Sequence, residues 1–435
     1  MSTANRSACV VGAQWGDEGK GRVVDRLAPE FDCVVRFQGG ANAGHTIRLG
    51  DEIYKLRLIP SGVLHDGVRS VIANGVLVDL DVLFREIDEL TERGVPAGDR
   101  VVVSDRAQLV MPYHKRLDAL REESAVDGQP PMGTTKRGIG PCLADKVTYR
   151  GIRVADLAYL DRVADRVRTA VAAHNRQFEA AGAAPADADE TIEKLRLQAR
   201  RLEPMVRDTV DLLRRGVEKG EAHLYEGAQA VLLDVDLGTY PYVTGTNASA
   251  AGLWSGTGVP PWHVRRIVGV VKAYTTRVDA GDGPFPTETF DAVRDHLASV
   301  GREFGTVTGR PRRCGWLDLV ALRYALAVNG CTEVALTKLD VLTGLDPLRI
   351  AVAYELDGRE LHAFPASAET LRRVTPRWVE LPGWTESIGD ATTVGDLPAA
   401  AREYVRAIER HLGRDIRDVS VGPERHQMVS RGCGA

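Results

Sequence analysis

Residues 12–21 (GAQWGDEGKG) place four glycines, two acids and one lysine within ten positions. Glycines leave backbone N–H groups open to an approaching anion and the lysine adds charge, so the stretch suits a phosphate cradle. It is not a Walker A loop, which needs four residues between its first glycine and the Gly-Lys; six separate Gly12 from Gly19. Asp17 and Glu18 are out of place beside phosphates, because carboxylates repel them. A metal ion or an acid–base task accounts for an acid there.

Three more stretches could do chemistry. Residues 38–46 (QGGANAGHT) set Asn42 and His45 among small residues, so the imidazole can come close to a ligand. Thr337, Lys338, Leu339 and Asp340 resemble the short element that reads guanine in GTP-binding proteins. A carboxylate there accepts from both N1–H and the 2-amino group, a pair adenine lacks, and the lysine stem can pack over the base. Residues 304–313 (FGTVTGRPRR) carry Arg310, Arg312 and Arg313, whose forks suit carboxylate or phosphate, beside Thr306, Thr308 and Gly309.

These residues need elements to hold them. Short apolar runs alternate with helical patterns, which argues for an α/β fold: a large, mostly parallel central sheet with flanking helices. Strands are expected at 9–11, 33–37, 70–73, 101–103, 224–225, 267–274, 333–336 and 350–354. Asp79 can cap a helix running to about residue 93, and 112–123, 315–327 and 398–412 also read as helices. Residues 156–220 read as a helical insertion broken near 180–189, with charged outer faces and no site. A hairpin is expected at Asp357 and Gly358, as one of the small peripheral hairpins. The expected organisation is one large α/β domain over 1–435.

The chain of 435 residues has a net charge of -4, so no basic footprint for nucleic acid exists and anions must be held by local Arg and Lys clusters. Six scattered cysteines form no C-x-x-C pair, which fits reduced thiols. No stretch has signal-peptide or membrane-span character, so a soluble, cytoplasmic protein without membrane or nucleic-acid partners is expected.

Residues 14–21 (QWGDEGKG) are similar to the N-terminal signature of the adenylosuccinate synthetase family, and 42–46, 227–229, 238–244, 308–313, 337–340 and 420–423 follow in that family's order. The resemblance covers nearly the whole chain. It implies a GTP-dependent ligase that joins L-aspartate to the 6-oxo position of IMP through a 6-phosphoryl intermediate, giving adenylosuccinate, GDP and phosphate, with Mg²⁺ and as a homodimer. It implies catalytic roles for Asp17, His45, Lys20 and Gln229, and a metal held by Asp17 and the Gly44 carbonyl. GTP would contact Gly16, Glu18, Gly19, Gly21, Arg22, Thr46, Arg312, Lys338, Leu339, Asp340, Ser420, Val421 and Gly422. The IMP side would use Asn42, Ala43, Thr135 and Thr244; L-aspartate would meet Thr306, Val307, Thr308, Gly309 and Arg310.

The departures from the family pattern gather on the acceptor side. Leu143 stands for a Tyr, Tyr149 for an Arg that reaches the IMP phosphate across a dimer interface, and Lys136 for a Gly. Ala41, Ala230, Leu237 and the pair Gly245 and Thr246 also differ, while the GTP elements are nearly untouched. Arg150 or Lys136 could take over the phosphate. Intact Gln229 and Thr244 favour IMP as acceptor; the alternative is a paralogue applying the same phosphorylate-then-aminate chemistry to another oxo substrate, such as a modified purine nucleotide. A catalytically dead guanine-nucleotide-binding protein is disfavoured by the retention of Asp17, Lys20 and His45 together.

Overall fold

Every residue of the strand Ala8–Gly12 is buried, as a strand covered on both faces requires. The computed structural model describes residues 6–123, 133–277, 282–304 and 311–431. Ala8–Gly12 lies inside a ten-stranded sheet. Across the sheet the order is Met428–Ser430, Ile416–Ser420, Glu333–Thr337, Arg266–Lys272, Ala8–Gly12, His223–Glu226, Cys33–Arg36, Arg69–Ile72, Val101–Ser104 and Val206–Arg207. All pairings are parallel except the edge strand Met428–Ser430. The carboxyl ends of nine strands therefore open on one rim, the edge of an α/β sheet where ligands bind.

One large core spans much of the sheet and its C-terminal elements, from Cys9 and Val11 to Val405 and Val419. A second gathers Ile72, Val103, Leu83, Leu117, Val171 and Ile192. Helix Leu80–Glu92 begins where Asp79 caps it, its Oδ1 accepting from the N–H groups of Asp81 and Val82. Helix Pro112–Glu123 starts on its proline.

Most expected elements are present within a residue or two, with four differences. The strand expected at 267–274 ends at Lys272, and Thr275–Arg277 pairs separately with Arg313–Gly315. The strand expected at 350–354 runs as Leu348–Leu356 in a small separate sheet that includes the expected hairpin partner Arg359–Leu361. The helix expected from 315 starts at Leu319, because Asp318 caps it and Leu317–Asp318 is extended. The helical stretch holds helices Leu160–Ala180, Ala188–Leu202 and Thr209–Glu218, and between the last two Val206–Arg207 joins the sheet edge. Phe178, Ile192 and Leu195 from this stretch enter the second core. Each buried side chain of this size stabilises the fold by roughly 1.5–3 kcal/mol, so these helices help hold the sheet edge as well as facing solvent. Among the described residues, no helix is long and apolar enough to cross a membrane.

Candidate active site

The loop after Ala8–Gly12 is shaped by an acid turned inward. Glu18 is wholly buried. Its Oε1 accepts from the N–H groups of Gln14 at 3.0 Å and Gly16 at 2.9 Å, and its Oε2 lies 2.6 Å from Lys20 Nζ. A buried carboxylate needs such partners. A Cβ on Gly12 would come within 2.5 Å of Glu18 Oε2, so glycine makes the room. Glu18 thus braces the cradle and holds Lys20, and its carboxylate is not presented to a ligand. Asp17 is its opposite: left-handed at φ 60 and with a carboxylate one-third exposed. Gly16 and Gly19 are also left-handed, and Gly21 packs so closely on His45 that a Cβ would meet the His45 Cβ at 2.6 Å.

His45 opens a hairpin, His45–Leu49 with Glu52–Leu56, rather than lying in a free loop. Its Nδ1 pairs with Glu226 Oε1. Glu226 is buried at the end of His223–Glu226 and also accepts from Ser61 Oγ and Ser61 N, each at 2.7 Å. Burial alone would raise the Glu226 carboxyl; His45, Arg36 and Ser61 outweigh it and hold it below the ordinary value. A carboxylate only accepts, so His45 Nδ1 carries a proton and Nε2 is left for a ligand. Thr46 points outward on the hairpin.

At the other end of the rim, Thr337 Oγ1 donates to the Glu18 carbonyl at 2.5 Å, tying the guanine-like element to the cradle. Lys338 is left-handed at φ 57. Asp340 Oδ1 is buried without a hydrogen-bond partner among the described residues, and burial raises its carboxyl above the ordinary value against the pull of Arg22 and Lys338. Arg22 donates through Nη1 to Ser420 Oγ at 2.6 Å and to the Gly422 carbonyl, and through Nη2 to the Gln427 carbonyl at 2.8 Å. It shapes the 420–427 loop with most of its fork occupied. The Leu339 and Val421 side chains belong to the main core, so only their main chains can face a nucleotide.

Between these two ends lies Glu303, which the sequence reading passed over. It is fully buried. Its Oε1 accepts from Lys272 Nζ at 3.0 Å, Lys338 Nζ at 2.5 Å and the Tyr274 hydroxyl, and its Oε2 from Arg312 Nη1 at 2.6 Å. Burial alone would raise this carboxyl; the charges of Lys272, Lys338 and Arg312 outweigh it and keep Glu303 ionised. The Arg312 Nε also lies 2.7 Å from Asp17 Oδ2, an ion pair whose N–H is not aligned as a hydrogen bond. Thr306, Val307, Thr308, Gly309 and Arg310 lie outside the described residues.

On the acceptor side, Gln229 is left-handed at φ 53 and neither of its buried amide atoms has a partner among the described residues. Asn42 Oδ1 is likewise buried and unpaired. Ala43 is buried, and Gly44, Thr135 and Thr244 are partly exposed. An orphaned buried polar atom costs roughly 1–3 kcal/mol, and Asn42, Gln229 and Asp340 bring three side chains with such atoms to this rim.

The departures are explained largely by packing. Leu143 lies against Leu77, Val110, Ile139 and Cys142, and a Cβ on Gly245 would come within 2.7 Å of Leu143 Cδ1. Leucine at 143 and glycine at 245 are thus one exchange of volume between neighbours. Ala41 is buried in the second core and Leu237 packs against the first. Ala230 fits its extended backbone against Gly12. Lys136 is left-handed at φ 55, where a glycine is at ease, and its Nζ pairs with exposed Glu123 at 2.8 Å. Tyr149 is 93% exposed.

A second buried cluster sits apart from this rim. Asp145 Oδ2 meets His114 Nε2 at 3.0 Å and His174 Nε2 at 2.9 Å. Three such groups could ligate a metal. But His114 Nδ1 accepts the Met111 N–H at 3.0 Å, so its proton sits on Nε2, the atom a metal would need. The cluster ties helix Ile139–Val147 to its neighbours by hydrogen bonds.

A family profile described as adenylosuccinate synthetase matches residues 9–429. The chain is 49% identical over 421 residues to the adenylosuccinate synthetase of Moorella thermoacetica, covering 97% of each chain. It is 45% identical over 431 residues to a chloroplastic enzyme of that name from Oryza sativa, covering 99% of this chain and 88% of that one. Its fold is similar to the fully ligated adenylosuccinate synthetase of Plasmodium falciparum at a TM-score of 0.93 and 35% identity, over 98% of this chain and 100% of that one. A cyanophage S-2L succinoaminodeoxyadenylate synthetase shares the fold at a TM-score of 0.60 with 20% identity, over 98% and 95% of the two chains. With a profile match over nearly its full length and relatives near half identity, the chain belongs to the adenylosuccinate synthetase family.

Proposed function

We propose that the carboxyl rim of the sheet is where this chain performs the family's reaction, the GTP-dependent ligation of L-aspartate to C6 of IMP. The observation that carries the reading is that, among the buried polar atoms without partners in the described residues, Asp340 Oδ1 lies towards one end of the rim and Asn42 Oδ1 and the Gln229 amide lie towards the other. They match a guanine end and an acceptor end, with Asp17 and Lys20 between them in the order of the strands and His45 beside Asn42 after Cys33–Arg36.

The purine 6-oxygen is a poor leaving group. Asp17 takes the N1 proton, which leaves negative charge on O6 to attack the γ-phosphate of GTP. Lys20 and the N–H groups around Gly19 and Gly21 hold the GTP phosphates at the start of helix Lys20–Leu27. Glu226 fixes the ring of His45 so that Nε2 meets charge moving between the phosphates. The aspartate amine then displaces phosphate from the 6-phosphoryl group. Asn42, Thr135, Gln229 and Thr244 hold IMP, and L-aspartate is assigned to Thr306, Val307, Thr308, Gly309 and Arg310, with Arg312. The Asp340 carboxylate reads N1–H and N2–H of guanine, beside Lys338 and the 420–422 main chain.

The donor set also fits Mg²⁺, a hard ion bound through few protein oxygens plus phosphates and water: the Asp17 carboxylate, one-third exposed beside the cradle, and the Gly44 carbonyl would hold it. Bound there, it would neutralise charge on the transferring phosphoryl group. A homodimer and a cytoplasmic location complete the proposal, with residues 1–435 as one α/β unit. The alternative acceptor is not favoured: relatives of 47–49% identity carry the IMP enzyme's name, and Leu143, Gly245 and Ala41 differ by packing. Phosphate release from GTP tests the proposal: it should require IMP and aspartate together, and turnover with other 6-oxopurine nucleotides but not IMP would overturn it.

A further inference from the structure

Glu303 gathers groups from three separate segments. Lys272 ends the strand Arg266–Lys272 next to the cradle strand, and Tyr274 follows it. Lys338 precedes the turn Leu339–Leu342 that carries Asp340. The N–H of Arg312 donates to the Glu303 carbonyl at 2.9 Å, so Glu303 holds it by backbone and side chain together. Arg312 then meets Asp17. A continuous chain of charged contacts therefore runs from Lys338 through Glu303 and Arg312 to Asp17, with Lys272 Nζ fastened at its centre to Glu303 and to Thr276 Oγ1 at 2.6 Å.

The two ends of this chain have different tasks under the reading above. Lys338 stands beside the base-reading carboxylate; Asp17 stands at the transferring group. Glu303 touches neither nucleotide nor the reacting atoms, being wholly enclosed. Its two oxygens divide the load: among the described residues, Oε1 takes Lys338, Lys272 and Tyr274, while Oε2 takes Arg312. Moving Lys338 to seat a base changes what Oε1 must satisfy, and in a low-dielectric interior the remaining partners respond strongly. The carboxylate is rigid, so a shift at Oε1 turns Oε2 and with it the Arg312 fork. Arg312 is also the group that must yield Asp17 when Asp17 takes a proton or a metal ion.

We propose that Glu303 is a positioning residue that couples the guanine end of the site to the Asp17–Arg312 pair, so that a seated guanine sets the orientation of Arg312 and the availability of Asp17. The inference rests on the proposed roles of Lys338 and Asp17. Bystander status would make Glu303 a structural ion pair only, felt in stability but not in communication between the two ends.

A double-mutant cycle on the full-length enzyme separates these. Lys338→Ala and Arg312→Gln are measured singly and together for kcat and for KM of GTP and aspartate, in the natural background and with Glu303→Gln. Coupling predicts that in the natural background the double variant's loss in kcat/KM for aspartate differs from the product of the single losses by about fivefold or more, and that with Glu303→Gln the losses multiply. Thermal unfolding of each variant separates lost stability from lost coupling. Should Glu303→Gln fail to fold, Tyr274→Phe removes one donor from Oε1 and should weaken the coupling in the same direction. An identical cycle in both backgrounds, or independent losses in the natural one, overturns the proposal. A Lys338→Ala enzyme with unchanged KM for GTP would instead overturn the assignment of the guanine end.

Discussion

His45 Nδ1 and Glu226 Oε1 are bonded across two neighbouring segments of the sheet rim, and Ser61 holds the same carboxylate from the other side with its hydroxyl and its main-chain N–H. The imidazole is therefore fixed in both rotation and tautomer. Glu226→Gln keeps an acceptor for Nδ1–H but removes the charge and crowds Ser61 N with an amide group. Steady-state kinetics should show kcat lowered by about 10- to 100-fold with KM for GTP nearly unchanged. An unchanged kcat would mean the ring orientation is set elsewhere.

The unpaired Asp340 Oδ1 gives a prediction about base choice. A carboxylate accepts two hydrogen bonds from guanine. An asparagine offers one acceptor and one donor, which suits xanthine with its 2-oxo group. Asp340→Asn should weaken use of GTP by about 10- to 100-fold in kcat/KM, the size expected for lost charged hydrogen bonds, and improve use of xanthosine triphosphate. Equal losses for both nucleotides would place the base elsewhere.

Glu86 predicts a pH effect on stability. It is buried, and its oxygens accept from the N–H groups of Arg57 at 2.6 Å and Leu58 at 2.9 Å. Burial outweighs these donors and pushes the carboxyl up to about 7 from an ordinary 4.5. Between those values the folded chain keeps a proton that the unfolded chain releases, so the stability contributed by Glu86 falls as pH rises through that window. Glu86→Gln lacks this titration. Chemical denaturation should show the natural protein losing about 1–3 kcal/mol relative to the variant between about pH 5 and about pH 8. A constant difference would contradict the raised carboxyl.

Much of this was legible from local pattern. Buried strands read as apolar runs, and the cradle, the His45 stretch and residues 337–340 each carry their chemistry within a few neighbouring residues. What stayed hidden depends on contacts distant in sequence. Glu303 sits one residue before the Arg-rich loop and resembles any surface acid until Lys272, Lys338 and Arg312 fold around it. Glu226 lies beside the Gly-Ala-Gln element, yet its purpose needs His45, 181 positions away. Glu18 was read with the ligand groups because its neighbours are; only the fold shows the carboxylate turned inward. The exchange of volume between Leu143 and Gly245 likewise looked like two separate departures.

The central claim is that Asp17 removes the N1 proton of the acceptor. Asp17→Asn, assayed for GTP binding by calorimetry and for phosphate release with IMP and aspartate, tests it most directly. The account predicts that GTP still binds while turnover falls by about a thousandfold or more, in the range of a lost general base. Turnover close to that of the natural enzyme would contradict it.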